Sequence, residues 1–181
     1  MKLRAFVSID IPEGIKKEIR KIQGKIPEFK GKLTGAPNLH LTLKFLGWIS
    51  KDKIETIKKE LSKIKFKRFE TTINSLGIFD NRKSENYTQQ LIVWLNLTNC
   101  DELQVEVDNA LSNLFSKERR FMSHLTIARV KEIESKKMFV DDVKKIRFKD
   151  IKFVVDSFRL KQSVLKRTGP VYETLDEYSL D

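Results

Sequence analysis

One cysteine, two histidines, four prolines and seven glycines are all that this 181-residue chain contains of the types that most often carry special chemistry or special backbone. The lone Cys100 excludes an internal disulfide and any multi-cysteine zinc or iron–sulfur site. Long apolar runs are missing too. The longest is Leu91 to Leu95, far short of the ~18 residues that a membrane span needs. Nor is there an N-terminal apolar stretch of signal-peptide length, so a cytoplasmic protein away from membranes is the expectation. Negative charge is also scarce: 25 Asp and Glu against 36 Lys and Arg leave a net charge of +11. Such a field favours a polyanion such as RNA or DNA, or an acidic membrane surface, and the competing reading is a lysine-rich solvated surface of the kind thermophiles carry.

What is present is ordered, with 40% hydrophobic residues in a length that suits one domain. Alternation predicts a strand at 2–9. Pro12 then stands at a helix start, followed by Ile15, Ile19, Ile22 and Ile26 at helical spacing. A strand at 39–46 is punctuated by Gly47, and Ile54, Ile57, Leu61 and Ile64 mark one face of a second helix. A strand at 71–79 and a polar loop at 80–89 close this half. The order then repeats. A strand at 90–97 precedes a helix carrying Leu103, Val107, Ala110, Leu111 and Leu114, with Asn99 as its cap and Glu102 completing a capping box. A strand at 121–130, a helix at 135–146 and a strand at 151–160 follow, and 171–179 gives one last strand. The reading is a single α+β domain over 1–181, duplicated internally as approximately 1–80 and 90–165 plus the C-terminal strand. Its two lobes would face each other across a cleft.

The duplication extends to the only two histidines. His40-Leu41-Thr42-Leu43 and His124-Leu125-Thr126-Ile127 lie 84 residues apart, each on a predicted strand. Alternation puts His40 and Thr42 on one face, with Leu41 and Leu43 in a core behind them, and the same holds for His124 and Thr126. Two imidazoles and two hydroxyls brought together suit phosphate-ester chemistry near neutral pH. Opening a 2′,3′-cyclic phosphate needs a base for the attacking water and an acid for the departing ribose oxygen, on opposite sides of phosphorus. Imidazole serves as either. Thr hydroxyls can hold the non-bridging oxygens. Two histidines without a clear third ligand make a poor zinc set, and there is no nucleophile elbow and no P-loop.

More than the histidine motifs repays comparison. Arg4-Ala-Phe-Val-Ser-Ile-Asp-Ile-Pro12, Asn38-Leu-His-Leu-Thr-Leu-Lys-Phe-Leu-Gly47, Leu76-Gly-Ile-Phe79, His124-Leu-Thr-Ile-Ala-Arg129 and Gly169-Pro-Val-Tyr-Glu173 span nearly the whole chain. With these flanks the sequence resembles the two-histidine phosphoesterases, specifically the bacterial and archaeal RNA 2′,3′-cyclic phosphodiesterases, also called 2′-5′ RNA ligases. The resemblance implies two antiparallel sheets facing a basic cleft, with helices outside. It implies hydrolysis of RNA 2′,3′-cyclic phosphate ends to 2′-phosphates with no metal and no cofactor, and in some members 2′-5′ joining of tRNA halves. By that analogy His40 is the acid and His124 the base, roles that the sequence itself leaves interchangeable. Thr42 and Thr126 bind the phosphate. Arg129 is a further phosphate contact, although a regular strand would turn it to the opposite face from His124. Phe6 is a candidate for stacking on a base, with core packing as its alternative. The partner is an RNA end, and the protein a monomer. Leu33-Thr-Gly-Ala-Pro37 and Ser123 stand where the family often has an aromatic and a proline, which alters the cleft edges. Two competing functions remain: a diesterase for a small cyclic nucleotide or ADP-ribose cyclic phosphate, and a non-catalytic RNA-end-binding module.

Overall fold

Apolar alternation makes the strands and isoleucine-rich faces make the helices. A computed structural model describes residues 2–80, 91–167 and 169–181; apart from Asp80, the polar loop expected at 80–89 lies outside the described residues. In chain order these residues form β1 (Lys2–Asp10), α1 (Glu13–Gln23), β2 (Lys30–Leu33), β3 (His40–Ser50), α2 (Lys51–Leu61), β4 (Phe69–Asp80) and β5 (Leu91–Leu97). Then come α3 (Asp101–Ala110), β6 (His124–Glu132), α4 (Lys136–Lys145), β7 (Ile151–Val155), β8 (Ser157–Lys166) and β9 (Gly169–Ser179). The expected α+β class with two antiparallel sheets is what the chain adopts. One sheet has the order β3-β1-β8-β9 and the other β2-β6-β5-β4-β7.

With β2 set aside, one order maps onto the other as β3 to β6, β1 to β5, β8 to β4 and β9 to β7. The two halves are interlocked. β4 pairs with β5 of the second half, while β8 pairs with β1 of the first. Helices cross over as well: α1 packs on β6 and β7, and α3 packs on β3. Gln23, buried at the end of α1, fixes one crossing by donating from Nε2 to the carbonyls of Thr34 (2.9 Å) and Ile127 (2.8 Å).

Three local expectations are corrected, and one unexpected strand, β2, is added. The single strand at 151–160 is two strands broken at Asp156, β7 in one sheet and β8 in the other. The buried positions Phe153 and Val155 are followed by Phe158 and Leu160, a slip of the alternation that marks the break. The edge strand β2 has four exposed residues, Lys-Gly-Lys-Leu, and no apolar alternation to reveal it; its lysines suit an unpaired edge. Asn99 does not cap α3. It takes a left-handed φ of 62° and donates to the Glu70 carbonyl (3.0 Å), leaving at the cap Cys100, whose side chain makes no capping bond to the helix, so the capping box with Glu102 does not form. Gly47 does not end β3 but carries it through a bulge, at φ 68°, to Ser50.

Candidate active site

The duplication of sequence is a duplication of irregularity. On β3, Thr42 pairs with Ser8 and Lys44 with Val7, leaving Leu43 extra. On β6, Thr126 pairs with Trp94 and Ala128 with Val93, leaving Ile127 extra, 84 residues later. A bulge shifts side-chain parity by one. Arg129 therefore returns to the face that carries His124 and Thr126, and Phe45 returns to the face of His40 and Thr42. The burial patterns agree: buried pairs at Leu43–Lys44 and Ile127–Ala128 precede exposed Phe45 and exposed Arg129. β3 and β6 pack against each other, so the two motif-bearing strands meet where the sheets meet.

Each imidazole is held in the same way. His40 Nδ1 lies 2.8 Å from the Asn38 carbonyl and His124 Nδ1 lies 2.8 Å from the Met122 carbonyl. A carbonyl only accepts, so Nδ1 carries the proton and Nε2 is left to exchange protons with a ligand. Aromatic rings fix the other faces. Phe6 (5.0 Å between centroids) and Tyr172 (4.9 Å, edge-on) enclose His40, while Phe79 (5.1 Å, edge-on) and Trp94 (6.4 Å) flank His124. Phe6 is 3% exposed, with Tyr172 and Phe45 against it as well. It is a wall behind His40, with no face open to a base.

The two sides differ electrostatically. Burial pushes the His40 imidazole down to about 4, opposed by the Asn38 carbonyl and Asp10 and reinforced by Lys161 and Arg129. The charge of Arg129 on one sheet is thus felt at the imidazole on the other. Asp10 pairs with His40 across β1 and β3. It accepts from Lys161 Nζ (2.6 and 2.7 Å) and from Arg159. Burial alone would raise its carboxyl, but those two cations hold it below the usual range. Ser8 Oγ, fully buried opposite Thr42, has no hydrogen-bond partner among the described residues.

The sequence profile of the LigT-like phosphoesterases matches residues 9–87 and 98–172. The chain belongs to the LigT-like phosphoesterases. It is 39% identical to the RNA 2′,3′-cyclic phosphodiesterase of Methanocaldococcus jannaschii, across 97% of this chain and 100% of that one. It is 34% identical to that of Thermotoga maritima, across 97% and 94%. Among solved structures, E. coli LigT in its apo form superposes with a TM-score of 0.77 at 23% identity, covering 99% of this chain and 98% of that one. The same protein complexed with 3′-AMP gives 0.75 at 23% identity, with the same coverage.

In this LigT-like phosphoesterase, the sequence reading missed the second ring around each histidine. Tyr172 arrives on β9, paired with Ser163, and Trp94 comes from within the apolar run that looked like a buried strand. One signal was legible. Gly77 pairs with Trp94, and a Cβ there would enter the indole's van der Waals envelope at three ring carbons. The glycine of the Leu76–Phe79 segment thus lets Trp94 lie flat over the strand and stack on Phe79 at 5.0 Å. Gly77→Ala is expected to displace the indole, change the tryptophan fluorescence and destabilise the protein by about 1–3 kcal/mol in urea unfolding. Unchanged fluorescence would mean that the ring is not seated on Gly77.

Proposed function

We propose that the protein hydrolyses RNA 2′,3′-cyclic phosphate ends to 2′-phosphates, with the two imidazoles as acid and base. The observation that carries this is the paired setting of the histidines, each with Nδ1 on a backbone carbonyl two residues back and Nε2 available to the ligand. The naming of both relatives as RNA 2′,3′-cyclic phosphodiesterases supports the substrate, and E. coli LigT complexes with 3′-AMP and with phosphate support a nucleotide end in such a cleft. The cyclic phosphate lies between β3 and β6, its non-bridging oxygens on Thr42, Thr126 and Arg129.

His40, neutral by burial, enters with a free Nε2 lone pair and takes the proton from water as its oxygen attacks phosphorus. The bond from phosphorus to O3′ breaks on the opposite side, and His124 Nε2–H delivers a proton to that oxygen. This assignment reverses the one the resemblance implies. A 5′-hydroxyl in place of water would give a 2′-5′ linkage by the same transfers.

Turnover of a short RNA bearing a 2′,3′-cyclic phosphate is expected to persist in EDTA and to yield the 2′-phosphate. Loss in EDTA with restoration by one divalent metal would overturn the two-imidazole mechanism. The pH profile of kcat/KM is expected to fall as pH drops through about 4, because a protonated His40 can no longer take the proton of the attacking water. Both role assignments give the same limbs, so the leaving group decides. A substrate with sulfur in place of O3′ needs no acid, since a thiolate departs unprotonated. On that substrate His124→Ala is expected to regain most of its lost rate and His40→Ala none; the opposite pattern would exchange the roles.

A further inference from the structure

We propose that Asn38 is the residue that positions His40 for its proton transfer, and that it does so by clamping the turn before β3 onto the β8–β9 hairpin. This rests on the functional reading above and adds a positioning residue to it. Two stretches that the histidine motifs leave without a task meet here: Asn38, at the head of the Asn38–Gly47 run, and Gly169-Pro-Val-Tyr-Glu173. Asn38 Nδ2 donates to the Pro170 carbonyl at 3.0 Å, across 132 residues of chain. A carbonyl only accepts, so the amide nitrogen and not its oxygen faces Pro170. The main-chain carbonyl of the same residue accepts from His40 Nδ1 (2.8 Å). One residue therefore grips the hairpin with its side chain and the imidazole with its backbone.

The place of Asn38 in the chain explains why a clamp is needed. It ends the 3₁₀ turn Ala36–Asn38, where its own amide donates to the Gly35 carbonyl (2.9 Å), and β3 begins only at His40. Its carbonyl thus lies outside the strand ladder, and its direction depends on what holds that peptide. β9 is the far edge of the sheet, three strands from β3, or about 14 Å away if the sheet were flat. The sheet curls enough for Pro170 to reach Asn38, and for Tyr172 to set its ring edge-on against His40 at 4.9 Å. Gly169, at φ 125°, takes the chain into β9 in a conformation that other residues rarely adopt, and the ring of Pro170 fixes the next φ. The acceptor for Asn38 sits on a constrained stretch of backbone.

The half that carries His124 is built differently. Met122 holds the equivalent place two residues before the histidine, and its carbonyl takes Nδ1 in the same way, but a thioether has no proton to donate. β7, the pseudo-symmetric mate of β9, has five residues against eleven. The proposed chemistry accounts for the asymmetry. A base must be neutral with its proton on Nδ1, so that the lone pair of Nε2 faces the water, and a fixed acceptor at Nδ1 selects that tautomer. An imidazolium acid carries both protons whatever its surroundings. The clamp stands on the histidine whose tautomer matters.

The test reads the ring nitrogens of both histidines by nitrogen-15 NMR in the full chain at mildly alkaline pH, beside kcat and KM on an RNA 2′,3′-cyclic phosphate. With only two histidines in the chain, His124 is the internal control. Wild type is expected to carry the proton on Nδ1 in both rings. Asn38→Leu, close in shape but without a donor, should give His40 a mixture of Nδ1–H and Nε2–H forms and leave His124 unchanged. It should lower kcat about tenfold with KM within about twofold, the scale of one hydrogen bond. Gly169→Val leaves Asn38 in place but strains the backbone before Pro170, and should move the same ring in the same direction. It carries the test should Asn38→Leu fail to fold. A His40 ring that stays in the Nδ1–H form would overturn the clamp, whatever happens to the rate. Should wild type not turn over the RNA, the functional reading fails instead, and the tautomer of His40 judges the clamp alone: a mixed ring supports it and an unmoved ring overturns it.

Discussion

His124→Ala is expected to slow hydrolysis of an RNA 2′,3′-cyclic phosphate by roughly 10²–10⁴-fold, the usual scale for losing one proton transfer. The same holds for His40→Ala. The double variant should be little worse than the poorer single one, because both transfers serve one transition state and residues acting as a unit are far from additive. Thr42→Val should cost less than either, since in the proposed arrangement the phosphate would keep Thr126 and Arg129; an equal loss would mean that the hydroxyl does more than hold an oxygen. The fold must be shown intact, and His40 supplies its own control. Its imidazole falls from 6.5 to about 4 in the folded protein. Between those values the unfolded chain binds more protons, so stability falls as pH falls through that window, by about 3 kcal/mol in total. His40→Asn should lose that acid sensitivity while losing turnover. A variant that lost turnover yet kept the wild-type fall in stability between pH 6.5 and 4 would show that burial does not depress His40.

The histidine motifs were legible because they combine a rare residue with a repeat, and because alternation places His and Thr on one face whatever the tertiary structure. The place of Arg129 was not. Five positions from His124, it belongs to the wrong face of any regular strand, and only the extra residue Ile127 brings it round. A bulge leaves no compositional trace in a run such as Leu-Thr-Ile-Ala. What could have shown it is the repeat itself, since Phe45 stands 84 residues before Arg129 in the same setting. Topology was hidden for another reason. Each half reads as a complete unit, yet β4 and β8 exchange sheets, and pairing partners so distant in sequence have no local signature. The break at Asp156 was visible only as the slip between Val155 and Phe158, two buried positions an odd number of residues apart.

That interlocking has an energetic consequence at Lys44. The β3 bulge turns this lysine away from the cleft, where it reaches Asp108 on α3, a helix from the other half of the chain. The two side chains are 3% and 7% exposed. Ser116 O gives the ammonium a second acceptor, and Gln104 Nε2 (2.9 Å) and the Glu118 amide also donate to the carboxylate. Burial alone would push Asp108 up, but the bonds from Lys44, Glu118 and Gln104 bring it below its usual value. Its contribution is therefore present above the unfolded carboxyl value near 4 and is lost as pH falls below it. Removing one partner leaves a buried charge alone: Lys44→Met is expected to cost about 3–5 kcal/mol in urea unfolding. Lys44→Met combined with Asp108→Leu should recover most of that loss, since a well-packed apolar pair escapes the desolvation penalty. Because the pair joins β3 to a helix of the other half, the loss should appear as a lower midpoint of one transition, with no early partial step. A separate early transition in Lys44→Met would show that the halves unfold independently. A double variant no more stable than Lys44→Met would show that the tether of the Ser116–Glu118 segment, and not the ion pair, is what the lysine provides.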